Sequence, residues 1–147
     1  MNTIIRLFFF FHIFLSTIVE AVEKNPCAIP ASSVGISMTD AMLNDFKISR
    51  STIVENKTKM ELIDNVKVDS AFSDFMAKED KVKDTDNFVS LEEYRGIYRE
   101  GNPRNLIVKV SYENKERKHN IFLASSIVND DECSIRFNGY IIIKREF

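Results

Sequence analysis

A cluster of carboxylates in the second half of this sequence is the group of side chains whose spacing comes closest to a chemical site. Asp84, Asp86 and Glu93 lie in the short segment DTDNFVSLEE, with Asp80 and Glu92 close by. Carboxylate oxygens are the ligands that calcium prefers in proteins. An acidic surface also speeds and orients association with a partner of complementary charge. The cluster is therefore a candidate for cation binding or for protein binding.

The spacing of these residues resembles the calcium loop of an EF-hand. Asp84 and Asp86 match the third and fifth positions of that loop, Ser90 matches the ninth, and Glu93 matches the bidentate twelfth. The resemblance implies that Asp84, Asp86 and Glu93 are the ligands if calcium binds. Val82 stands where the loop normally begins with Asp, and this favours an acidic connection between two helices instead. We therefore predict no metal and no cofactor.

The sequence offers few of the residues that other kinds of catalytic site require. His119 is the one histidine that follows residue 21, which leaves a Ser–His–Asp triad or a zinc site short of groups. The four glycines are far apart and do not form a phosphate-binding loop. Glu92 and Glu93 offer the carboxylates that glycoside hydrolysis requires. Adjacent acids in a first helical turn, however, are typical of residues that complement the helix dipole. We predict that the protein is not an enzyme.

The first residues of the chain have the order of a secretory signal peptide. Arg6 precedes an apolar stretch from Leu7 to Val19, and Ala21 supplies a small residue for cleavage. The apolar stretch is shorter than the roughly 20 residues that span a bilayer. The sequence therefore predicts cleavage after Ala21, export to the periplasm or beyond, and no membrane anchor in residues 22–147.

Two cysteines, Cys27 and Cys133, remain after this cleavage. An even number of cysteines in an exported chain predicts a disulfide. The bond would close a loop of about 100 residues, which in the chain-entropy model stabilises the fold by roughly 4–5 kcal/mol.

The charge balance excludes one class of partner. The chain has 20 Lys and Arg residues against 22 Asp and Glu residues, a formal net charge of −2. Nucleic-acid affinity comes from many contacts between basic side chains and phosphates. We therefore predict no nucleic-acid partner.

Helices are expected to position the acidic cluster. The prolines and serines of residues 22–36 indicate an extended lead-in, and residues 37–101 are expected to be mainly helical. Gly101 and the following Pro103 indicate where the helical region ends. Helix N-termini are predicted at residues that can cap a backbone N–H three positions on: Ser37, Thr52, Asp69 and Ser90.

The period of the apolar residues changes to two after residue 105, which indicates an antiparallel sheet over residues 105–147. Asn138-Gly139 predicts a tight hairpin, because a type I′ turn needs positive φ at both central residues. The predicted class is α+β: N-terminal helices packed on a C-terminal four-stranded antiparallel β-meander, in a single domain of residues 22–147. Its expected strands are Leu106–Tyr112, Asn120–Val128, Cys133–Phe137 and Tyr140–Arg145.

Export, one disulfide, small size and a poor supply of catalytic groups favour an exported binding or inhibitor protein. Its most concrete form is a periplasmic immunity protein that neutralises a bacteriocin or other secreted toxin by direct binding. A secreted calcium-binding protein and an accessory subunit of a secretion or pilus system are the alternatives. The residues expected to contact a protein partner are Asp80, Asp84, Asp86, Glu92 and Glu93.

Overall fold

A computed structural model describes residues 25–147 of the chain. The predicted signal peptide and its cleavage after Ala21 lie outside the described residues. Three α-helices and four β-strands are present in the described part, and the strands pair in the order β1-β2-β3-β4, every neighbour antiparallel. The predicted α+β class is confirmed. The elements are α1 (Ser33–Phe46), β1 (Lys59–Lys67), α2 (Ser70–Lys83), α3 (Leu91–Ile97), β2 (Arg104–Glu113), β3 (His119–Val128) and β4 (Arg136–Lys144).

Strands β2 and β3 form the centre of the sheet because their apolar residues alternate. Every second side chain of β2, from Leu106 to Tyr112, is buried on one face, and Phe122 and Ala124 of β3 are buried beside them. Helix α1 covers this face with Val34, Met38 and Met42. Both strands agree with the expected ones, and together with α1 they form the main core.

Strand β1 corrects the prediction of a helix that starts at Thr52. Thr52 and Glu55 lie in two short 3₁₀ turns, Arg50–Thr52 and Glu55–Lys57, which end after one turn each. Met60 and Leu62 then point to the main core as alternate residues of a strand that pairs with β2. The alternation of apolar residues favours a strand over a helix here, because packing against the sheet stabilises more than a local helix cap does.

Strand β4 corrects the prediction of a hairpin at Asn138-Gly139. The chain continues straight through both residues, and Gly139 alone of the two has a positive φ, of 115°. The register with β3 shifts at this point, between Ser125 and Ser126. Asn138 instead donates a hydrogen bond to Ser125 Oγ at 3.0 Å. Gly139 therefore lies at a bulge within one strand. Cys133 lies in the irregular segment that precedes β4.

Helix α1 begins earlier than the expected cap at Ser37. Ser32 is the N-cap, and its hydroxyl oxygen accepts a hydrogen bond from the Gly35 N–H at 3.3 Å. The same hydroxyl donates to the Cys27 carbonyl oxygen at 2.7 Å. Residues 26–32 form turns and bends where an extended lead-in to residue 36 is predicted, and Ser32 fixes the turn that carries Cys27.

The predicted disulfide between Cys27 and Cys133 is confirmed. Its half-cystines are 106 residues apart in sequence, and Cys27 is buried against the main core. The bond joins the turn before α1 to the segment between β3 and β4. It thereby ties the segment before α1 to the connection that leads into the edge strand β4.

Helices α2 and α3 form a second, smaller core. Their predicted starts are confirmed: Asp69 caps α2, and Ser90 and Glu93 form a capping box at α3. Met76 and Tyr98 from these helices pack on Ile127 of β3. Helix α3 ends at Ile97, so Gly101 belongs to the turn that follows, where it has a φ of 68°. The two helices therefore lie over the end of the sheet near Ile127. Within residues 25–147, no helix is both long and apolar enough to cross a membrane.

Gly35 provides a test of how closely α1 packs on the turn before it. A Cβ at this position would meet the carbonyl oxygen of Pro30 and lie 2.8 Å from that of Ile29. We expect Gly35→Ala to lower the free energy of unfolding by roughly 1–3 kcal/mol, because backbone atoms must move. Gly96→Ala in α3 is the control, since its Cβ would have no neighbour closer than 3.6 Å. This change should stabilise by about 0.5–1 kcal/mol. Urea denaturation of both variants measures the difference, and equal effects would contradict the prediction.

The disulfide should contribute strongly to stability because it closes a long loop. We expect the double variant Cys27→Ala/Cys133→Ala to lose roughly 3–5 kcal/mol of unfolding free energy. Urea denaturation of the oxidised protein, the reduced protein and the double variant gives the values. The reduced protein should match the double variant. A loss of less than about 1 kcal/mol would mean that the unfolded chain is not constrained by the bond.

Candidate protein-binding site

The acidic residues singled out in the sequence lie on α2, on the loop that joins α2 to α3, and on the first turn of α3. Asp80 belongs to α2, Asp84 is the C-cap of that helix, and Asp86 lies in the loop. Glu92 and Glu93 open α3. The two helices pack as a hairpin on the Ile127 end of the sheet. The segment is therefore fixed in place by the second core.

A lysine ammonium group fills the interior of the α2–α3 loop. Lys81 Nζ donates to the Val89 carbonyl oxygen at 2.6 Å and to Asn87 Oδ1, and it lies 3.4 Å from Asp84 Oδ2. Asn87 has a φ of 58°, so its side chain turns back toward the lysine. Asp84, the one of these three residues that matches an EF-hand ligand position, thus faces a cation of the chain itself.

Asp84 is held in its ionised form by the same contacts. Burial raises the pKa of this carboxyl group. Hydrogen bonds from the Val89 N–H and from Lys81 lower the pKa by more than burial raises it, so the pKa lies below its ordinary value. The Val89 N–H donates to Asp84 Oδ2 at 3.2 Å. Asp84 therefore serves to close the loop around Lys81.

Glu93 is engaged in the helix cap. Its carboxylate accepts from the Ser90 backbone N–H at 2.7 Å, and hydrogen bonds from Ser90 lower its pKa. Among residues 25–147, no three His, Cys, Asp or Glu side chains are placed to hold one metal ion together. The structure therefore does not bring Asp84, Asp86 and Glu93 together as a ligand set.

Asp80 links α2 to α3 and to β4. It accepts a hydrogen bond from the Tyr98 hydroxyl, and its carboxylate lies 3.5 Å from Arg136 Nη1. Arg136 also donates to Glu79 at 2.6 Å. Tyr98 is buried, and both this burial and the nearby Asp80 carboxylate raise the pKa of its hydroxyl. Asp80 therefore has a structural role in the described fold.

The remaining acidic residues differ in their pairing. Glu92 lies 3.0 Å from Arg95 Nη1 and 3.9 Å from Arg99 Nη1. Asp86 is exposed and has no salt bridge to another of the described residues. Most of the acidic charge in the segment is thus balanced by neighbouring cations. Glu93 is likewise exposed and forms no ion pair with another of the described residues, so Asp86, Glu93 and the exposed side of Glu92 stay candidate contacts of the expected acidic surface.

Three exposed apolar residues were not identified from the sequence: Phe75 and Val82 on α2, and Phe88 in the loop that follows. We name these three residues the α2 apolar surface. Their side chains are 55%, 85% and 86% exposed. Phe75 and Val82 line one shallow depression of α2 together with Lys78 and Lys83. Val82 is the residue that departs from the EF-hand pattern, and Phe88 is an aromatic residue in a polar loop. These two irregularities were the signals available in the sequence.

A second depression lies between α1 and the 3₁₀ turns, with Tyr112 at its floor. The Tyr112 hydroxyl lies 2.9 Å from Thr39 Oγ1, whose own proton goes to the Gly35 carbonyl oxygen. Tyr112 therefore donates its proton to Thr39. Burial raises the pKa of Tyr112 to about 12, so the hydroxyl stays protonated at neutral pH and keeps its hydrogen bond to Thr39.

Phe75, Val82 and Phe88 are among the exposed large apolar side chains of the described residues. No protein-family model, curated protein or solved structure matches this chain. The candidate site is defined by its geometry: Phe75 and Val82 are exposed on α2 and Phe88 is exposed in the loop that follows, while Asp80 of the same helix bonds Tyr98 and Arg136.

Removal of the Lys81 ammonium group tests the structure of the loop. We expect Lys81→Met to lower the melting temperature and to speed hydrogen exchange at the Val89 amide, because Asp84 loses its counter-charge. Lys83→Met is the matched control, since Lys83 is exposed and lies 3.9 Å from its nearest acid. The difference between the Lys81 variant and the wild type should shrink below about pH 4. A carboxyl group with a lowered pKa stabilises above its unfolded pKa and loses this effect as it is protonated. Equal melting temperatures for the two variants would contradict the assignment.

Calcium provides an independent test of the loop. We expect no saturable heat on titration with millimolar calcium, because Lys81 occupies the interior and Glu93 caps α3. Isothermal calorimetry at low ionic strength measures this, with magnesium as the control. A saturable calcium signal of one site per chain would revive the calcium-binding alternative.

Proposed function

We propose that the protein is an exported binding protein that acts by direct contact with a second protein. In its most concrete form it is a periplasmic immunity protein that neutralises a bacteriocin or another secreted toxin. The observation that carries the proposal is the α2 apolar surface, whose Val82 and Phe88 side chains are 85% and 86% exposed. Exposed apolar side chains bordered by charges are typical of protein-interaction sites.

The energetics of these side chains support a role in binding. Full burial of a Val or Phe side chain stabilises a complex by roughly 1.5–3 kcal/mol. Binding energy in protein interfaces is concentrated in a few such residues near the centre, with polar residues around them. Lys78, Glu79 and Lys83 line the same depression as Phe75 and Val82. They would orient the partner and raise the association rate.

The disulfide supports the proposed location. Disulfides form and persist in oxidising compartments, including the bacterial periplasm. The bond between Cys27 and Cys133 is therefore what an exported protein is expected to contain. Residues 1–21 have the pattern of a secretory signal peptide, which supports export as well.

Protection against a toxin tests the function. The full chain, including residues 1–21, is produced in a sensitive strain and challenged with a panel of purified bacteriocins and with any toxin encoded by a neighbouring gene. We expect protection against one toxin and co-purification with it from the periplasm. Protection against none of them, with a secretion or pilus defect in a deletion strain, would favour an accessory subunit instead.

The α2 apolar surface is tested by the double variant Val82→Asp/Phe88→Asp. We expect it to lose protection and to bind the toxin about 100-fold more weakly or worse, because two central apolar contacts are replaced by charges. Ile29→Asp/Ile36→Asp is the matched control, with two exposed isoleucines at and before α1. It should protect as the wild type does. Surface plasmon resonance gives both affinities, and equal affinities would exclude the α2 apolar surface as the contact.

A further inference from the structure

The depression with Tyr112 at its floor is bounded by three separate parts of the chain. Ile36 and Thr39 line it from α1, Pro30 and Ala31 line it from the turn before that helix, and the two 3₁₀ turns form the opposite wall. Its volume is about 320 Å³. Small-molecule sites in proteins begin at about 300 Å³, so the space suits a molecule with one ring or a short chain. We name this space the Tyr112 pocket.

The walls of the Tyr112 pocket are attached to the rest of the fold. Ile53, which follows the first 3₁₀ turn, is buried and bridges to Asn114 just after β2. Arg50 of the same turn donates to Asp40 of α1 at 2.8 Å and so links the two walls. The pocket is therefore formed before a ligand arrives, and binding does not carry the entropic cost of ordering it.

The hydroxyl groups at the floor of the pocket have already used their protons. Thr39 Oγ1 donates to the Gly35 carbonyl oxygen at 2.8 Å, and the Tyr112 hydroxyl donates to Thr39 Oγ1 at 2.9 Å. A hydroxyl oxygen has two acceptor lone pairs, so each of these oxygens keeps at least one that no donor among the described residues fills. The floor therefore accepts hydrogen bonds from a ligand and donates none.

The rim of the pocket carries one charge without a counter-charge. Arg50 and Glu55, from the two 3₁₀ turns, are the charged residues that line it. The Arg50 guanidinium forms an ion pair with Asp40 at 2.8 Å. The exposed Glu55 forms no ion pair with another of the described residues. The rim is therefore complementary to a cation.

We propose that the Tyr112 pocket binds a small amphipathic amine, a molecule with one apolar ring or short chain and a protonated amino group. The apolar part lies between Ile36, which is 48% exposed, and the buried Ile53. The ammonium group faces Glu55 and the accepting oxygens of the floor. An ammonium group has three donors and no acceptor, which is the complement of this lining. The site goes beyond the proposed protein contact and shares no lining residue with the depression on α2.

Two probes with the same ring and opposite charges, 2-phenylethylamine and phenylacetate, test the proposal. Each is titrated at pH 7 into the purified chain with its disulfide intact, and binding is followed by two-dimensional NMR of the backbone amides. We expect saturable binding of 2-phenylethylamine at one site, with a dissociation constant of about 1 mM, as suits a ligand with few non-hydrogen atoms. The largest shifts should fall on Thr39, Ile53 and Glu55. Phenylacetate should bind at least about 10-fold more weakly, because its carboxylate meets Glu55.

Glu55→Gln tests the charge at the rim without changing the size of the side chain. We expect 2-phenylethylamine to bind this variant at least about 5-fold more weakly, because a charge-assisted hydrogen bond becomes a neutral one. Glu100→Gln is the matched control, since Glu100 is exposed after α3 and forms no ion pair with another of the described residues. It should bind the amine as the wild type does.

Ile36→Ala tests the apolar wall and should also weaken amine binding, because the ring loses a contact. Ile97→Ala is its control, since Ile97 of α3 is 44% exposed and lies outside the pocket lining. Absence of saturable shifts with 2-phenylethylamine up to about 20 mM would overturn the proposal. So would phenylacetate that binds as tightly as the amine, or a Glu55→Gln variant with unchanged affinity. Toxin protection by the Glu55 variant should equal that of the wild type, so failure of either proposal is visible separately.

Discussion

The alternation of side chains along β3 is the constraint on which the rest of the fold depends. Phe122 and Ala124 point to the face that α1 covers, and Ile127 packs against α2 and α3. Strand β3 thus contributes to both cores, while the outer strands β1 and β4 pair only with their inner neighbours. Strands β2 and β3 pair along ten residues without a register shift. The irregularities fall between these strands and the outer ones, where less apolar surface specifies the register.

Sequence patterns predicted the elements whose local signals agree with their packing. Asp69 and Ser90 cap the helices expected of them, and the alternation in β2 and β3 specifies both strands. The patterns failed at Thr52 and at Asn138-Gly139, where a short polar motif competed with the sheet. At Thr52 the alternating apolar residues Met60 and Leu62 decided the outcome, because packing them on the sheet stabilises more than one cap. At Asn138-Gly139 the chain instead continues as one strand paired with β3. A local cap or turn motif therefore predicts structure only where its flanking residues do not gain more stability by pairing in the sheet.

The acidic segment shows a different limit of sequence reasoning. The spacing of the carboxylates could be taken from the sequence, but the basic side chains that pair with them across the fold could not. Arg136 of strand β4 reaches Asp80 of helix α2 from 56 residues later in the chain, and Lys81 turns into the loop instead of toward solvent. The sequence marks Val82 and Phe88 as irregular, but the degree of their exposure could not be predicted from it, since apolar residues are normally assigned to the interior. Which charges are compensated and which apolar groups stay outside depends on tertiary contacts.

The position of the disulfide has a consequence for the biogenesis of the protein. Cys133 follows Cys27 by 106 residues and comes after β2 and β3, so the central hairpin is synthesised before the bond can close. The chain contains two cysteines, which allow a single intramolecular pairing. Oxidation therefore needs an electron acceptor but no reshuffling of wrong pairs, and an oxidase is sufficient where a chain with four cysteines would also need an isomerase.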